Sequence, residues 1–394
     1  MRVRLLDLSK QYRSLEKEIR TATDEVLASQ RFILGPKLAE FEKAVAEYCG
    51  APHGIGVSSG TDALLAVFMA HEIGLGDAVI TTAYSFFATG GCIARVGATP
   101  VFIDVEPDTY NISASALRRY VEKHCHVVDG KLVNNNRQLI RALVPAHLFG
   151  LCCDMNEMAA IAREHNLVLI EDAAQAIGAQ FQFENKTAKA GTMSDAGCFS
   201  FYPSKNLGAA GDAGLIVCHH PEFADRLRIC RQHGMEERYE HQFIGGNFRM
   251  DELQAAILNV KLPHLDSWSA ARREAAKFYT SELERAGLRG KIGLPVEPYA
   301  KSGLRNHHIY HQYVIRSPKR DELREHLSKH EIETAIYYPL ALHEQPCFEY
   351  LGYKAGDFPE AESAARETLA LPIYPEIPRE EQQYVVNCIA EFFG

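Results

Sequence analysis

Short apolar runs alternate with amphipathic segments from about His53 to Cys218. Runs such as DAVITTAY and NLVLIEDAA are rich in β-branched and aromatic residues, whereas TDALLAVFMAHEIG has the spacing of a helix. Strands separated by helices are typical of a mostly parallel sheet that helices cover on both faces. The pattern therefore predicts an α/β fold with a mostly parallel central sheet.

The chain also divides by pattern into two regions. Amphipathic helices are predicted at residues 15–27 and 38–48, and a long helical pattern after Asp251 is interrupted at Pro263. Because 394 residues exceed one small domain, we predict a large domain over residues 1–259, with the N-terminal helix included, and a smaller α+β domain over residues 260–394. Within the smaller domain we expect strands in HHIYHQYVIR and TAIYYP and helices in RDELREHLSKHEI and EEQQYVVNCIAEFFG.

Charge and composition narrow the classes of function. The net charge is -9 and no cluster of Lys and Arg with interleaved aromatics occurs, so we expect no nucleic-acid partner. The N-terminus has no signal-peptide core and no apolar run is long enough to span a membrane, so we expect a cytoplasmic protein.

The 10 cysteines are scattered and form no CxxC pair, which favours free thiols. The triplet His124-Cys125-His126 has no second ligand pair nearby, and we interpret it as a surface loop and expect no metal.

In parallel sheets, ligands bind beyond the carboxyl ends of the strands, so polar residues at those ends are the candidates for chemistry. In SSGTDAL a strand stops and a helix begins, and Thr61 and the amide of Asp62 could hold a phosphate at the helix N-terminus. Ser and Thr cap helices in many proteins, and a plain capped helix explains this motif better than a phosphate site when the motif is taken alone.

Three further segments carry candidate groups. Asp172 ends the strand of LVLIEDAAQAIGA, with Gln175 one helical turn on, and it could bond a protonated ring nitrogen. Lys205 follows a strand and a turn in CFSFYPSKNLGAAGDAG, close to Ser200, and could form an imine. Phe86 could stack on a flat ring, in which case Phe87 would face the core. A helix-capping acid, a solvated lysine and two core aromatics are the plain alternatives.

The four groups occur in order, each at the end of a strand of one sheet. Pyridoxal 5'-phosphate (PLP) requires an anion site, a stacking face, a partner for its ring nitrogen and an imine-forming amine. The combination therefore predicts a PLP site more strongly than any single segment does.

The sequence resembles the DegT/DnrJ/EryC1/StrS family of PLP-dependent nucleotide-sugar aminotransferases, which have the fold of type I PLP enzymes. The resemblance covers essentially the whole chain and rests on the motifs SSGTDAL, AYSFFATGGCI, PVFIDVEPDTYNI, PAHLFG, EDAAQAIGA, FSFYPSKNLGAAGDAG, HGMEERYEHQFIGGNFRMDELQAAIL, IYYPLALHEQP and LPIYP.

The resemblance implies a role for each candidate. Lys205 corresponds to the lysine that links covalently to PLP, Asp172 to the partner of the pyridine nitrogen, and Gln175 to a neighbour of the cofactor's 3-oxygen. The remaining cofactor contacts that it implies are the phosphate ligands Thr61, Asp62 (through its amide) and Ser200, the stacking ring of Phe86, and Asn247. Asn247 would reach the phosphate of the neighbouring subunit, which implies a homodimer with shared active sites.

The implied reaction moves an amino group from glutamate to a keto-sugar nucleotide, to give an amino sugar for glycan, lipopolysaccharide or antibiotic biosynthesis. KNLGAAGDAG, with Asp212, is similar to members that act at C-3 of a dTDP- or UDP-linked sugar. A PLP-dependent sugar dehydratase and a carbocycle aminotransferase stay open, and the candidate pocket residues are His307, His308, His311 and His343.

Two unrelated classes fit less well. A nicotinamide dehydrogenase requires GxGxxG, which GIGVSSG does not match, and a regulator would require a DNA-binding module, which the sequence does not suggest.

Overall fold

The computed structural model describes all residues from 1 to 394. The α-helices are α1 Leu8–Ser29, α2 Pro36–Cys49, α3 Gly60–Ala70, α4 Phe87–Arg95, α5 Ala114–His124, α6 Met155–Glu164, α7 Pro221–Cys230, α8 Glu252–Lys261, α9 Leu265–Arg285, α10 Arg320–Lys329, α11 Pro359–Glu367 and α12 Arg379–Phe393. The β-strands are β1 His53–Val57, β2 Asp77–Thr82, β3 Thr99–Ile103, β4 Cys125–Val128, β5 Lys131–Asn134, β6 Leu139–Val144, β7 Val168–Asp172, β8 Gln180–Phe183, β9 Lys186–Lys189, β10 Ala196–Ser200, β11 Gly214–Cys218, β12 Met235–Glu237, β13 Glu240–His241, β14 Tyr313–Arg316 and β15 Thr368–Leu371.

The central sheet has the strand order β1-β11-β10-β7-β6-β2-β3. Strand β11 runs antiparallel to both of its neighbours, and every other adjacent pair in this order is parallel. The hairpin β4-β5 extends the sheet by pairing with β6. The predicted mostly parallel sheet is therefore confirmed, and its parallel strands place their carboxyl ends along one edge.

Helices cover both faces of this sheet, as apolar strands with two buried faces require. On one face Phe41 of α2 and Met158 of α6 belong to the same core. On the other face Phe68 of α3, Ile93 of α4 and Leu227 of α7 form a second core.

The C-terminal part has its own core, built around the antiparallel pair β14-β15. Tyr279, Leu327 and Val386 bring α9, α10 and α12 into it. Val3 also lies in this core and its backbone bridges to Ile332, so the first residues of the chain pack with the last third. The division at residues 259 and 260 stays a prediction.

Two predicted strands of this part were wrong in extent or position. HHIYHQYVIR is extended only over β14, because Tyr310 has φ of 46° and this left-handed conformation breaks a strand. TAIYYP forms a single bridge, from Ala335 to Ala370, and the partner of β14 is instead β15, a strand that was not predicted.

The triplet His124-Cys125-His126 was also predicted incorrectly as a loop. His124 ends α5 and the other two residues begin β4, since alternating side chains continue into a two-stranded hairpin. None of the α-helices combines the length and the hydrophobicity that a membrane span requires.

Candidate active site

A cavity of about 520 Å³ lies beyond the carboxyl ends of the parallel strands. Six of the eight predicted site residues line it: Thr61, Phe86, Asp172, Gln175, Ser200 and Lys205. These residues end or follow four strands, β1, β2, β7 and β10, and they come together because those strands run in one direction. The remaining lining residues include Ser59, Gly60, Ser85, Thr89, His147, Tyr202, Ser204, Asp212, His311, Gln312, Tyr337 and Tyr338.

The N-terminus of α3 forms one end of the cavity. A Cβ atom on Gly60 would lie 2.7 Å from Cβ of Ser200, so the close approach of these two backbones requires glycine. Ser59 caps the helix by accepting a hydrogen bond of 3.0 Å from the Asp62 amide. Thr61 lines the cavity, whereas Asp62 does not, and its carboxylate accepts hydrogen bonds from the Ser58 and Ser59 hydroxyls.

Asp172 ends β7 and is buried. The Thr89 hydroxyl donates to its Oδ2 at 2.7 Å, and the Ser85 hydroxyl lies 3.1 Å from Thr89 Oγ1. The Ala174 amide donates to Oδ1 at 3.2 Å. These donors fix the orientation of an acceptor carboxylate, and each of its oxygens retains a further lone pair for a ligand.

Lys205 follows β10 and lines the same cavity. Its amine makes no hydrogen bond or salt bridge to any protein group, and burial lowers the pKa of the amine to about 8, against the opposing charge of Asp172. An unpaired lysine with a lowered pKa is the form that attacks a carbonyl carbon.

Gln175 is buried and connects distant segments of the chain. Its Oε1 accepts a hydrogen bond of 2.8 Å from the Phe149 amide, and its Nε2 donates to the Tyr338 hydroxyl. One N–H of the amide keeps no protein partner and can serve a ligand.

His147 lines the cavity beside Asp172, and hydrogen bonds to both of its ring nitrogens fix its orientation. The Cys153 amide donates to its Nδ1 at 3.1 Å, so the proton is on Nε2, which donates to Glu171 at 2.8 Å. Glu171 is buried and also accepts from the Gly191 and Met193 amides.

Phe86 stands at the start of α4 with 61% of its surface exposed, and it lines the cavity as a stacking ring would. The expectation that Phe87 faces the core was wrong, because Phe87 is 44% exposed and stacks on Phe348.

Asn247 is the second predicted residue that the single chain does not bring to the cavity. It is exposed, and its backbone bridges to Gln232. Of the four candidate histidines only His311 lines the cavity, where its Nδ1 lies 2.8 Å from Asn206 Oδ1.

Sequence reasoning missed Thr89, His147 and the tyrosines at 337 and 338. The available signal was the position of Thr89 in the first turn of α4, three residues after the N-cap Phe86, since residues with this spacing lie on the same side of a helix. The tyrosines come from a segment far along the chain, and no local pattern indicates their position.

Comparison with known proteins decides the family. The model of the DegT/DnrJ/EryC1/StrS aminotransferase family matches residues 13–390. The chain belongs to this family. The aminotransferase is 47% identical over all of its length to a "Pleiotropic regulatory protein" of Geobacillus stearothermophilus, of which 99% is covered. It is 39% identical, over 96% of its length and 94% of the relative, to a "UDP-N-acetyl-3-dehydro-alpha-D-glucosamine 3-aminotranferase" of Acidithiobacillus ferrooxidans.

The solved structures give the same result. The crystal structure of DesV from S. venezuelae in complex with a ketimine intermediate has a TM-score of 0.88 and 37% identity, over 99% of this chain and 98% of that one. The aminotransferase therefore has the type I fold and uses PLP, and its cavity fits the cofactor. The unpaired Lys205 amine, the Asp172 carboxylate and the helix N-terminus beside Gly60 match its aldehyde, ring nitrogen and phosphate in chemistry.

Proposed function

We propose that this aminotransferase moves the amino group of glutamate to a nucleoside-diphosphate 3-keto sugar, carried by UDP or dTDP, and so produces an amino sugar. The observation that carries the proposal is the unpaired amine of Lys205, with its pKa lowered to about 8, in one cavity with Asp172 and Phe86.

The proposed reaction assigns different chemical roles to Lys205 and Asp172. When bound, PLP supplies an electron sink for the carbanion that forms on loss of the α-proton. Lys205 would hold the cofactor and then accept and return that proton, because an amine with a pKa near 8 is unprotonated in roughly one tenth of molecules at pH 7, a far larger fraction than for a lysine with a pKa of 10.5. Asp172, oriented by Thr89, would hold the proton of the ring nitrogen.

Several observations support a sugar nucleotide as the acceptor. The relative from Acidithiobacillus acts, by its name, at C-3 of a UDP-linked sugar. Asp212, which the KNLGAAGDAG motif associates with C-3 amination, lines the cavity together with Ser204 and Tyr202. Purified enzyme with glutamate should aminate a 3-keto sugar nucleotide, and exclusive amination of 4-keto sugar nucleotides would contradict this assignment.

We also propose a homodimer in the cytoplasm, with Asn247 completing the phosphate site of the neighbouring subunit. Asn247 is exposed and lies outside its own chain's cavity, which suits a residue that serves another chain. Ile244 and Tyr239, which are 88% and 78% exposed, provide apolar surface close to it in the sequence.

The name of the Geobacillus relative raises a regulatory function as the second candidate. Lys205 with a lowered pKa in a polar cavity favours catalysis, since a purely structural regulator would not need a reactive amine. A dehydratase of this family has histidine in place of the lysine, so Lys205 also favours amino transfer. Detection of 2-oxoglutarate on incubation with glutamate and a keto sugar separates these candidates.

A further inference from the structure

A group of three metal-ligating side chains lies in the C-terminal part, outside the cavity. His326 lies in the last turn of α10, His330 is the C-cap of the same helix, and Glu391 lies on α12, which packs against α10. One ligand atom from each residue lies within 4.8 Å of the others. The two imidazole centroids are 4.4 Å apart, so both rings lie on the same side of the helix.

Both rings are oriented by hydrogen bonds to backbone carbonyls. Nε2 of His326 lies 3.0 Å from the Cys388 carbonyl oxygen, and Nδ1 of His330 lies 2.9 Å from the His326 carbonyl oxygen. Because a carbonyl only accepts, these nitrogens carry the protons, and the other nitrogen of each neutral ring keeps a lone pair. Histidines that bind metals usually have this arrangement, in which the second ring N–H is donated to a carbonyl or a carboxylate.

The free nitrogen of His330 faces another acceptor. Its Nε2 lies 3.9 Å from Oε2 of Glu391, which is too long for a hydrogen bond. In a neutral ring this nitrogen and the carboxylate are both acceptors, and a cation bound between them would remove their repulsion. Tetrahedral Zn²⁺ with bonds of about 2.0–2.1 Å holds its ligand atoms about 3.3 Å apart. The exposed Glu391 side chain is free to rotate and to shorten its distance to His330 to this value.

We propose that His326, His330 and Glu391 bind a divalent transition-metal ion of the Zn²⁺ class, which links α10 to α12. Imidazole nitrogens with one carboxylate suit Zn²⁺, Ni²⁺ or Cu²⁺, whereas Mg²⁺ and Ca²⁺ require oxygen ligands. Three protein ligands leave one position of a tetrahedral ion to water.

Calorimetric titration of the full-length PLP-loaded protein with ZnCl₂ tests this proposal. We expect one ion per chain, at least about tenfold weaker binding in His330→Ala and in Glu391→Gln, and no response to MgCl₂. His126→Ala is the matched control, because it removes an exposed histidine from the other candidate triplet, and it should bind Zn²⁺ as the wild type does.

A second measurement links binding to the two helices. Zn²⁺ should raise the midpoint of thermal unfolding in the wild type and in His126→Ala, and by a smaller amount at the same concentration in Glu391→Gln, since a ligand that binds only the folded state stabilises it according to its affinity. Absence of Zn²⁺ binding in the wild type would overturn the proposal. Equal binding in His330→Ala would also overturn it, because the ion would then be held elsewhere.

Discussion

The Thr89 hydroxyl donates a hydrogen bond of 2.7 Å to Oδ2 of Asp172, across a sequence separation of 83 residues. Both side chains are buried, and Thr89 reaches Asp172 from α4, the helix that begins next to Phe86. The start of α4 therefore carries Phe86, which is proposed to stack on the cofactor, and orients Asp172, which is proposed to meet its ring nitrogen. A hydroxyl in this place orients the carboxylate.

Thr89→Val removes that hydroxyl while it keeps the shape of the side chain. Hydrogen bonds to charged groups contribute about 1.5–3 kcal/mol, so we expect PLP to bind at least about tenfold more weakly and turnover to fall by a similar factor. Equilibrium dialysis of PLP gives the affinity. Thr89→Ser keeps the donor and should retain near-normal affinity. Equal loss in the two variants would show that the methyl group matters and that the hydrogen bond does not.

Asp172→Asn replaces the carboxylate with an amide of the same size. An amide cannot hold a proton on the ring nitrogen by charge, so we expect turnover to fall by about 10-fold to 100-fold with little change in folding. The rate of the half-reaction with glutamate in single-turnover experiments measures this effect directly. A variant with unchanged rate would remove Asp172 from the mechanism.

Lys205→Met tests the cost of burying the amine in the cofactor-free protein. The pKa of Lys205 falls from 10.5 in the unfolded chain to about 8 in the folded one, so burial opposes folding while the amine is charged. Since one pKa unit corresponds to about 1.36 kcal/mol, Lys205→Met should stabilise the folded state by at most about 3 kcal/mol at pH 7.

The pH dependence of this gain has a defined sign. Below pH 8 the gain is fully present, and between pH 8 and 10.5 it decreases, because the unfolded chain then binds more protons than the folded one. Urea unfolding at several pH values measures it. Lys186→Met, at an exposed lysine of β9, is the control and should show no such dependence, and a gain for Lys205→Met that does not change with pH would contradict the lowered pKa.

Asn247→Ala tests the shared active site. The most direct test uses a dimer that contains one subunit of each variant. Lys205→Ala and Asn247→Ala are assayed separately and then as a mixture, under conditions that allow subunits to exchange. If Asn247 serves the neighbouring site, the mixed dimer has one intact site and recovers activity, whereas residues that act within one chain give no recovery. Light scattering of each sample establishes that dimers are present.

Much of this site could be predicted because it follows one rule of parallel sheets. Lys205, Asp172 and Ser200 each follow a short β-branched or aromatic run, and strands that run in one direction place such residues at a common edge. Thr61 and Phe86 each stand at the start of a helix that follows a strand, which local sequence also indicates.

The rest of the site depends on contacts that local patterns do not contain. The Tyr338 hydroxyl accepts a hydrogen bond from Gln175, which is 163 residues away in the sequence. The segment that carries Tyr338 pairs with a neighbouring strand only at Ala335, so it has no strand pattern. Strand β15 is four residues long and directly follows α11, so its periodicity is too short to identify. Asn247 is exposed outside the cavity of its own chain, and the role proposed for it depends on a second chain.

The central claim is that Lys205 binds PLP covalently and then accepts and returns the α-proton of the substrate. The absorbance spectrum of the PLP-loaded protein, before and after glutamate is added, tests this claim most directly. We predict a violet band that decreases with glutamate while a near-ultraviolet band increases. Lys205→Ala should lack this response. Lys261→Met should keep it, because Lys261 also has a pKa lowered to about 8 but donates to the Gly208 carbonyl outside the cavity. A wild-type protein without the violet band after incubation with PLP, or an unchanged response in Lys205→Ala, would contradict the account.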